Sequence, residues 1–191
     1  MGDPRKKRKQ YTSPGHPYEK ARLESELILV GKYGLRNKRE LWRARTKLAN
    51  FRAQTRSLLA LEEEEREDKE KILNDKLTKL GIIAVNTETD EILGLDVERI
   101  LKRRLQTRVF ERGLAGTFHQ ARQIIAHRHI TVNGRVMTSP GYLVPIALED
   151  TVEYAKGSPF VDETHAMASS LHRESSIVEI TVEKDDRRRR R

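Results

Sequence analysis

The sequence of 191 residues contains no cysteine. Disulfide bonds, thiol nucleophiles and cysteine-ligated zinc or iron–sulfur sites are therefore excluded, and the composition is typical of a protein that works inside a cell. Aromatic residues make up only 5% of the chain and apolar residues only 36%. Such a chain buries a modest core and presents much polar surface, which argues against a large catalytic domain.

Long apolar runs are also missing. No window approaches the roughly 18 consecutive apolar residues of a membrane-spanning helix, and the basic start of the chain is not followed by the apolar stretch of a secretory signal. We therefore expect a soluble protein with no membrane partner. A phosphate-cradling loop is absent too, because Gly31-Lys32 lacks the preceding spaced glycine and the following hydroxyl residue.

Positive charge, in contrast, is abundant and comes in blocks. Lysine and arginine number 38 against 29 aspartates and glutamates, giving a net charge of +9. Residues 1–56 and 99–135 are basic, and the segments that follow them are acidic. Between residues 99 and 135, nine lysines and arginines accompany one acid, Glu111. Such a surface neutralises phosphates and releases their counterions, so RNA or DNA is the natural ligand.

The chain begins with a basic run, Arg5-Lys6-Lys7-Arg8-Lys9, and then has Pro14, Gly15 and Pro17. Prolines disfavour helix and sheet, so we predict an extended arm. An arm that orders against nucleic acid, a nuclear-import signal and a frayed terminus would share this pattern, and all three readings stay open.

Apolar spacing predicts two helices in the following region. Residues 39–61 have a stripe at steps of three or four, formed by Leu41, Ala44, Leu48, Phe51, Thr55 and Leu58, with Arg45, Arg52 and Arg56 on another side. That arginine side can meet phosphate or simply face solvent. The second helix follows the acidic run 62–70, continues through Ile72, Leu73, Leu77 and Leu80 and stops at Gly81. Consecutive glutamates on a helix point in different directions, so we expect no metal site there.

A compact unit is predicted after a polar turn at residues 86–91. A helix opens at Leu95-Asp96 and runs through Val109 to stop at Gly113. Thr117 and Gln120 form a capping box for a second helix, whose inward residues are Ala121, Ile124 and Ile125. Asn133-Gly134 predicts a tight hairpin turn, and residues 151–154 offer a further strand. The fold class is therefore α+β.

Several short segments of this unit resemble the S-four-type RNA-binding domain, an αL-like module of two helices packed on a short β-sheet. They are Arg104-Leu105, Arg112-Gly113-Leu114-Ala115, Ala121-Arg122-Gln123-Ile124-Ile125, His129-Ile130 and Val132-Asn133-Gly134. The upstream segment 33–42, together with segment 106–110 inside the unit, is similar to the small-subunit ribosomal protein S-four family in its archaeal and eukaryotic-cytosolic form. The resemblance covers roughly residues 10–156.

The resemblance implies a basic arm and helical rRNA-binding domain at 1–94 and the S-four-type domain at 95–156. It fades after residue 156, and the C-terminal extension at 157–191 is predicted from its own pattern, with one alternating strand at 177–182 and a basic tail. The resemblance also implies a cytoplasmic protein of the small ribosomal subunit that binds small-subunit ribosomal RNA, nucleates assembly of the subunit body and contributes to translational accuracy. The implied partners besides RNA are the small-subunit protein S-five and messenger RNA where it enters the subunit.

The same resemblance assigns RNA contact to a set of basic and polar residues. In the S-four-type domain these are Arg104, Arg108, Arg112, Arg122, His127, Arg128, Asn133 and Arg135, and upstream they are Arg36, Lys38 and Arg39. His127 and His129 are metal-ligand types, but no cysteine or carboxylate lies nearby at ligand spacing, so we expect no metal and no cofactor.

Two other functions share this basic chemistry. An RNA-modifying enzyme such as a pseudouridine synthase could use the same module as its anchor, but the chain has no further domain of sufficient size, and its aspartates lie in polar or terminal contexts. A free-standing RNA chaperone is the second alternative, against which only the upstream arm and the segment 33–42 argue. We therefore expect a protein that is not an enzyme.

Overall fold

The computed structural model describes residues 9–84 and 89–161. Its residues form two compact units, the first drawn from Met1–Asp75 and Ile83–Ile100 and the second from Lys76–Ile82 and Leu101–Arg191. The arm before residue 9 and the strand predicted at 177–182 lie outside the described residues. Within the described ranges, no helix combines the length and apolar character needed to cross a bilayer. The mixed helical and sheet content confirms the α+β class.

Two helices in the first unit pack against each other: α1 spans Lys20–Lys32 and α2 spans Lys38–Leu58. The Asn37 side chain accepts a hydrogen bond from the Glu40 amide and so caps the start of α2. The buried residues of α2 confirm the predicted stripe, and they are Leu41, Ala44, Leu48, Phe51, Thr55 and Leu58. Burial of this face supplies the main hydrophobic driving force for the unit.

Helix α3 spans Glu63–Lys79 and is followed by Gly81, whose φ of +67° confirms the predicted helix stop. Of the apolar residues in this helix, Leu73 and Leu77 are buried, whereas Ile72 is exposed. The predicted polar turn at 86–91 was also partly wrong. Residues Thr89–Leu93 form a short helix, α4, because Ile92 is buried in the first unit.

The single helix predicted from residue 95 through Val109 is wrong. Two short helices occupy this region, α5 at Val97–Lys102 and α6 at Leu105–Glu111. Between them the Arg104 backbone is extended and pairs with Leu143, and the Leu105 amide donates to the Tyr142 carbonyl at 2.7 Å. Hydrogen bonds to a distant segment therefore break a helix that the local apolar spacing favours.

The rest of the second unit follows the predicted order. Helix α7 spans Phe118–Ala126, and three short strands follow: β1 at Ile130–Val132, β2 at Arg135–Val136 and β3 at Val152–Tyr154. The antiparallel sheet has the order β2-β1-β3. A 3₁₀ turn at Ile146–Leu148 interrupts the irregular stretch before β3. The core is formed by side chains of α6, α7, β1, β3 and the loops around them: Leu105, Val109, Ala115, Ala121, Ile124, Ile125, Ile130, Val132, Val144, Val152 and Phe160.

Candidate nucleic-acid interface

The start of α7 is fixed by hydrogen bonds between residues only three or four positions apart. The Thr117 hydroxyl accepts from the Gln120 amide at 3.2 Å, which confirms half of the predicted capping box. The Gln120 side chain accepts from the Gly116 amide rather than from Thr117 itself. This helix directs Ala121, Ile124 and Ile125 into the core and ends just before a cationic segment.

That segment begins at the end of α7, where Arg128 has a left-handed backbone with φ of +68°. The Arg128 amide donates to the Ile125 carbonyl and the His129 amide to the Ile124 carbonyl, each at 3.1 Å. Glycine usually occupies this helix-capping position, and a residue with a Cβ there costs about 1 kcal/mol. The Arg128 side chain is exposed, so an unfavourable backbone presents a guanidinium to solvent.

The hairpin tip continues this exposed surface. Asn133 and Gly134 have φ of +50° and +73°, which confirms the predicted tight turn. The Asn133 side chain and the neighbouring Arg135 are exposed. The backbone amide of Asn133 is not available to a ligand, because it donates to the Thr151 hydroxyl at 3.1 Å. Side chains therefore carry the recognition chemistry at the tip.

Two histidines flank Arg128 in parallel planes. The ring centroids of His127 and His129 are 6.4 Å apart and their planes differ by 4°. His129 Nδ1 lies 3.1 Å from the Ser158 hydroxyl, and the His129 and Phe160 rings pack edge to face with centroids 5.0 Å apart. Burial, and then the charge of His127, lower the pKa of His129, which keeps that ring neutral near pH 7. His127 is exposed.

Three arginines of the second unit bind the protein's own Glu149. Arg103 and Arg108 approach the two carboxylate oxygens of Glu149 at 2.9 and 2.8 Å, and Arg112 donates to the Glu149 backbone carbonyl. Arg108 also pairs with Glu111 at 2.7 Å. We call Glu149, Arg103, Arg108 and Arg112 the Glu149 cluster. Two predicted RNA-contact residues, Arg108 and Arg112, thus have protein partners.

Arg104 and Arg122, which are also predicted to contact RNA, are held by protein contacts as well. Arg104 is buried, at the point where its backbone pairs with Leu143. Arg122 donates to the Gln106 side-chain oxygen at 3.3 Å, and the Gln106 amide nitrogen donates to the Phe118 carbonyl at 2.8 Å. The exposed side chains of His127, Arg128, Asn133 and Arg135 are therefore more accessible to a ligand than these arginines.

In the first unit, Arg36 and Arg39 are exposed, and Lys38 belongs to an ionic cluster centred on Glu26. Its other members are Arg22, Arg45 and Trp42, and we call the five residues the Glu26 cluster.

Burial alone would raise the pKa of Glu26. The hydrogen bond from the Trp42 indole and the positive charges of Arg45, Arg22 and Lys38 outweigh this effect, so the pKa lies below its ordinary value. Glu26 is therefore ionised at neutral pH.

Sequence reasoning missed both carboxylates that organise these clusters. Only Glu26 left a local signal, because Arg22 precedes it by four residues, a helical spacing at which side chains meet. The contacts of Glu26 with α2 and of Glu149 with Arg103 join distant parts of the chain. In the described part of the chain, no group of three or more histidine, cysteine or acidic side chains could hold a metal ion.

The fold and the basic module define an S4-domain protein: residues 103–152 match the family model described as S4 domain. The chain is also 53% identical over 161 residues to the small ribosomal subunit protein uS4 of Sulfurisphaera tokodaii, covering 84% of this chain and 91% of that protein. The uS4 protein of Sulfolobus acidocaldarius is likewise 53% identical over 161 residues, with 84% and 92% covered. That of Saccharolobus islandicus is 49% identical over 178 residues, with 93% and 98% covered.

The chain belongs to the uS4 family of small ribosomal subunit proteins. The resemblance to the S-four family is thereby confirmed. These relatives are ribosomal proteins rather than enzymes, so the alternative of an RNA-modifying enzyme finds no support among them.

Proposed function

We propose that this protein is a constituent of the small ribosomal subunit, in the cytoplasm, and binds small-subunit ribosomal RNA directly. The family membership supports the ribosomal role. The observation that carries direct RNA binding is the set of exposed side chains at the two ends of segment 127–135, where a left-handed residue and a tight turn present His127, Arg128, Asn133 and Arg135 to solvent. RNA is recognised through phosphates and unstacked bases, and these side chains suit both.

The finer assignments are part of the same proposal and rest on the resemblance. The helical first region with its basic arm and the αL-like module both bind RNA, and the protein nucleates assembly of the subunit body. It contacts the small-subunit protein S-five, meets messenger RNA where it enters the subunit and contributes to translational accuracy.

Among the proposed RNA-binding residues, the exposed ones bind first and most directly. In the second unit these are His127, Arg128, Asn133 and Arg135, and in the first unit Arg36 and Arg39. Lys38 is partly exposed and binds RNA beside them. Arg104, Arg108, Arg112 and Arg122 contact RNA only with the donors that their protein partners leave over, because an arginine has five N–H groups. Their removal therefore affects folding as well as binding.

Binding is tested with the full chain and a transcript of the 5′ domain of the Sulfolobus acidocaldarius small-subunit RNA. If about four phosphates are contacted, affinity falls roughly a hundredfold between about 50 and 200 mM KCl. A transcript of equal length from a different domain should bind more weakly. Affinity that is independent of salt would contradict the proposal.

Replacing Arg128 with glycine separates binding from folding. The variant removes the guanidinium and relieves the left-handed strain, while glycine adds freedom to the unfolded chain, so stability should change by less than about 0.5 kcal/mol. Affinity for the transcript should fall about three- to tenfold, since one phosphate contact is lost. The control is Lys156→Gln, which removes one exposed charge outside the segment. Equal losses in the two variants would contradict a specific role for Arg128.

A further inference from the structure

The Glu26 cluster places one negative charge among three positive ones. The Glu26 side chain is 0% exposed, and its Oε1 accepts from Arg45 at 2.7 Å, from the Trp42 indole at 3.1 Å and from Arg22 at 3.2 Å. Lys38 Nζ lies 3.5 Å from its Oε2. The cluster therefore has a net charge of about +2, since only Glu26 is acidic among its members.

Intramolecular contacts occupy most of the hydrogen-bonding groups of Arg22. Besides its contact with Glu26, it donates to the carbonyls of His16 and Pro17, and it lies 3.6 Å from Glu19. Its side chain is only 15% exposed. Arg22 thus fastens the chain before α1 to the helix itself and has little capacity to bind a ligand.

Lys38 and Arg45 are more exposed than Arg22 and have fewer protein partners. Their side chains are 30% and 35% exposed, and in the described part of the chain Glu26 is the acidic partner of each. Lysine has three donors and arginine five, so most of their hydrogen-bonding capacity is left for a ligand. Glu26 is buried and cannot contact that ligand, and the three cations around it outweigh its single negative charge.

The neighbouring surface of α2 is cationic as well. Lys38, Trp42 and Arg45 lie at steps of four and three on the side of α2 that meets Glu26, and Arg39 and Arg43 lie exposed on the adjoining side. The acid of α2 is Glu40, which is part of its first turn. Like charges so close repel one another, and an anion between them relieves the repulsion.

We propose that Lys38 and Arg45 form a binding site for a backbone phosphate of RNA, with Glu26 as the positioning residue that holds both cations on one side of α2. The inference rests on the proposed RNA-binding function. Long basic side chains lose rotamer freedom when they bind, and the buried carboxylate has already restricted these two. The phosphate therefore binds cations that are already oriented.

The first test removes the two proposed ligands in the full chain. Lys38→Gln with Arg45→Gln should lower affinity for the 5′-domain transcript about tenfold near 150 mM KCl and reduce the salt slope by about one. The matched control is Lys69→Gln with Lys71→Gln, which removes the same charge from exposed ion pairs on α3. That pair should leave the slope unchanged.

The second test concerns Glu26. Glu26→Gln keeps the side-chain shape and adds one positive charge to the protein, so simple attraction predicts tighter RNA binding. A positioning role predicts the opposite, a severalfold loss of affinity. Glu24→Gln on the same helix is the control, because Glu24 is exposed and pairs only loosely with Lys20 at 3.9 Å. It should bind equally well or more tightly.

These outcomes distinguish failure of the proposed RNA-binding function from failure of the phosphate site at Lys38 and Arg45. A wild-type chain that fails to bind the transcript would overturn the RNA-binding function and this site with it. If the wild type binds but the Lys38 and Arg45 double variant matches its control, the phosphate site alone is wrong. Trp42 fluorescence reports whether Glu26→Gln keeps the first unit folded, and if it does not, the double variant decides.

Discussion

The Glu26 and Glu149 clusters each surround one carboxylate with basic side chains, but the carboxylate is the buried group in the first and an arginine is the buried group in the second. In the first unit the carboxylate is 0% exposed and two of its cations are about one-third exposed. In the second unit Arg103 is 5% exposed while the Glu149 carboxylate is 29% exposed. A buried acid holds cations at the surface, whereas a buried arginine is withdrawn from it. The number of basic residues in a segment therefore does not set how many can bind RNA.

Because of this difference in burial, the basic blocks at 1–56 and 99–135 differ in their proposed contribution to RNA binding. The block at 99–135 has the denser run of arginines, yet Arg103, Arg108 and Arg112 stabilise the second unit through Glu149. Its proposed RNA-binding residues are the exposed ones that follow α7, His127, Arg128, Asn133 and Arg135. The block around α2 keeps its cations accessible, because the acid that gathers them is buried.

The largest effect that tests this contrast is predicted for Arg103→Met. The change leaves Glu149 with one fewer cation and the Val144 carbonyl without its donor, which lies at 2.7 Å. We expect the free energy of unfolding to fall by about 3 kcal/mol, at the lower end for a broken buried ion pair because Glu149 is partly exposed. Urea unfolding followed by circular dichroism measures it.

Lys102→Met is the control for this change, since Lys102 is the exposed neighbour of Arg103. RNA affinity of the folded Arg103 variant should stay close to wild type. An unfolding change below about 1 kcal/mol, or a clear loss of affinity in the folded variant, would remove the distinction between the two clusters.

An intermediate effect is predicted for Gly81→Ala, which tests how tightly Arg103 is packed. A Cβ at Gly81 would lie 2.8 Å from Ile146 Cγ1 and 2.9 Å from Arg103 Cζ, and the φ of +67° disfavours alanine. We expect a loss of about 1 to 2 kcal/mol by chemical denaturation. Gly157→Ala is the matched control, because nothing lies within 4 Å of its added Cβ. Equal stability of both variants would show that Arg103 has room to move.

The smallest effect is the pH dependence of the first unit. The folded pKa of Glu26 lies below its ordinary value of 4.5, so the ionised carboxylate stabilises the fold above that pH. This contribution is lost as the pH falls through the folded pKa. Melting followed by Trp42 fluorescence at about pH 6, 4.5 and 3.5 should show wild type approaching Glu26→Gln as the pH falls. A constant difference between them would argue against an ionised Glu26, and Glu24→Gln should follow wild type.

The sequence alone determined the features that depend on near neighbours. The α2 stripe, the helix stop at Gly81, the hydroxyl cap at Thr117 and the Asn133-Gly134 turn follow from spacing or from backbone preferences a few residues long. The α+β class and the family resemblance follow from the same local patterns in order.

Tertiary structure alone decided the break between α5 and α6 at Arg104. The break depends on pairing with Leu143, nearly forty residues away, and local apolar spacing carries no information about so distant a partner. Tertiary structure also decided which cations are buried. Whether a carboxylate is enclosed, as Glu26 is, or left at the edge, as Glu149 is, depends on packing between distant segments, and burial rather than charge count sets what remains for a phosphate.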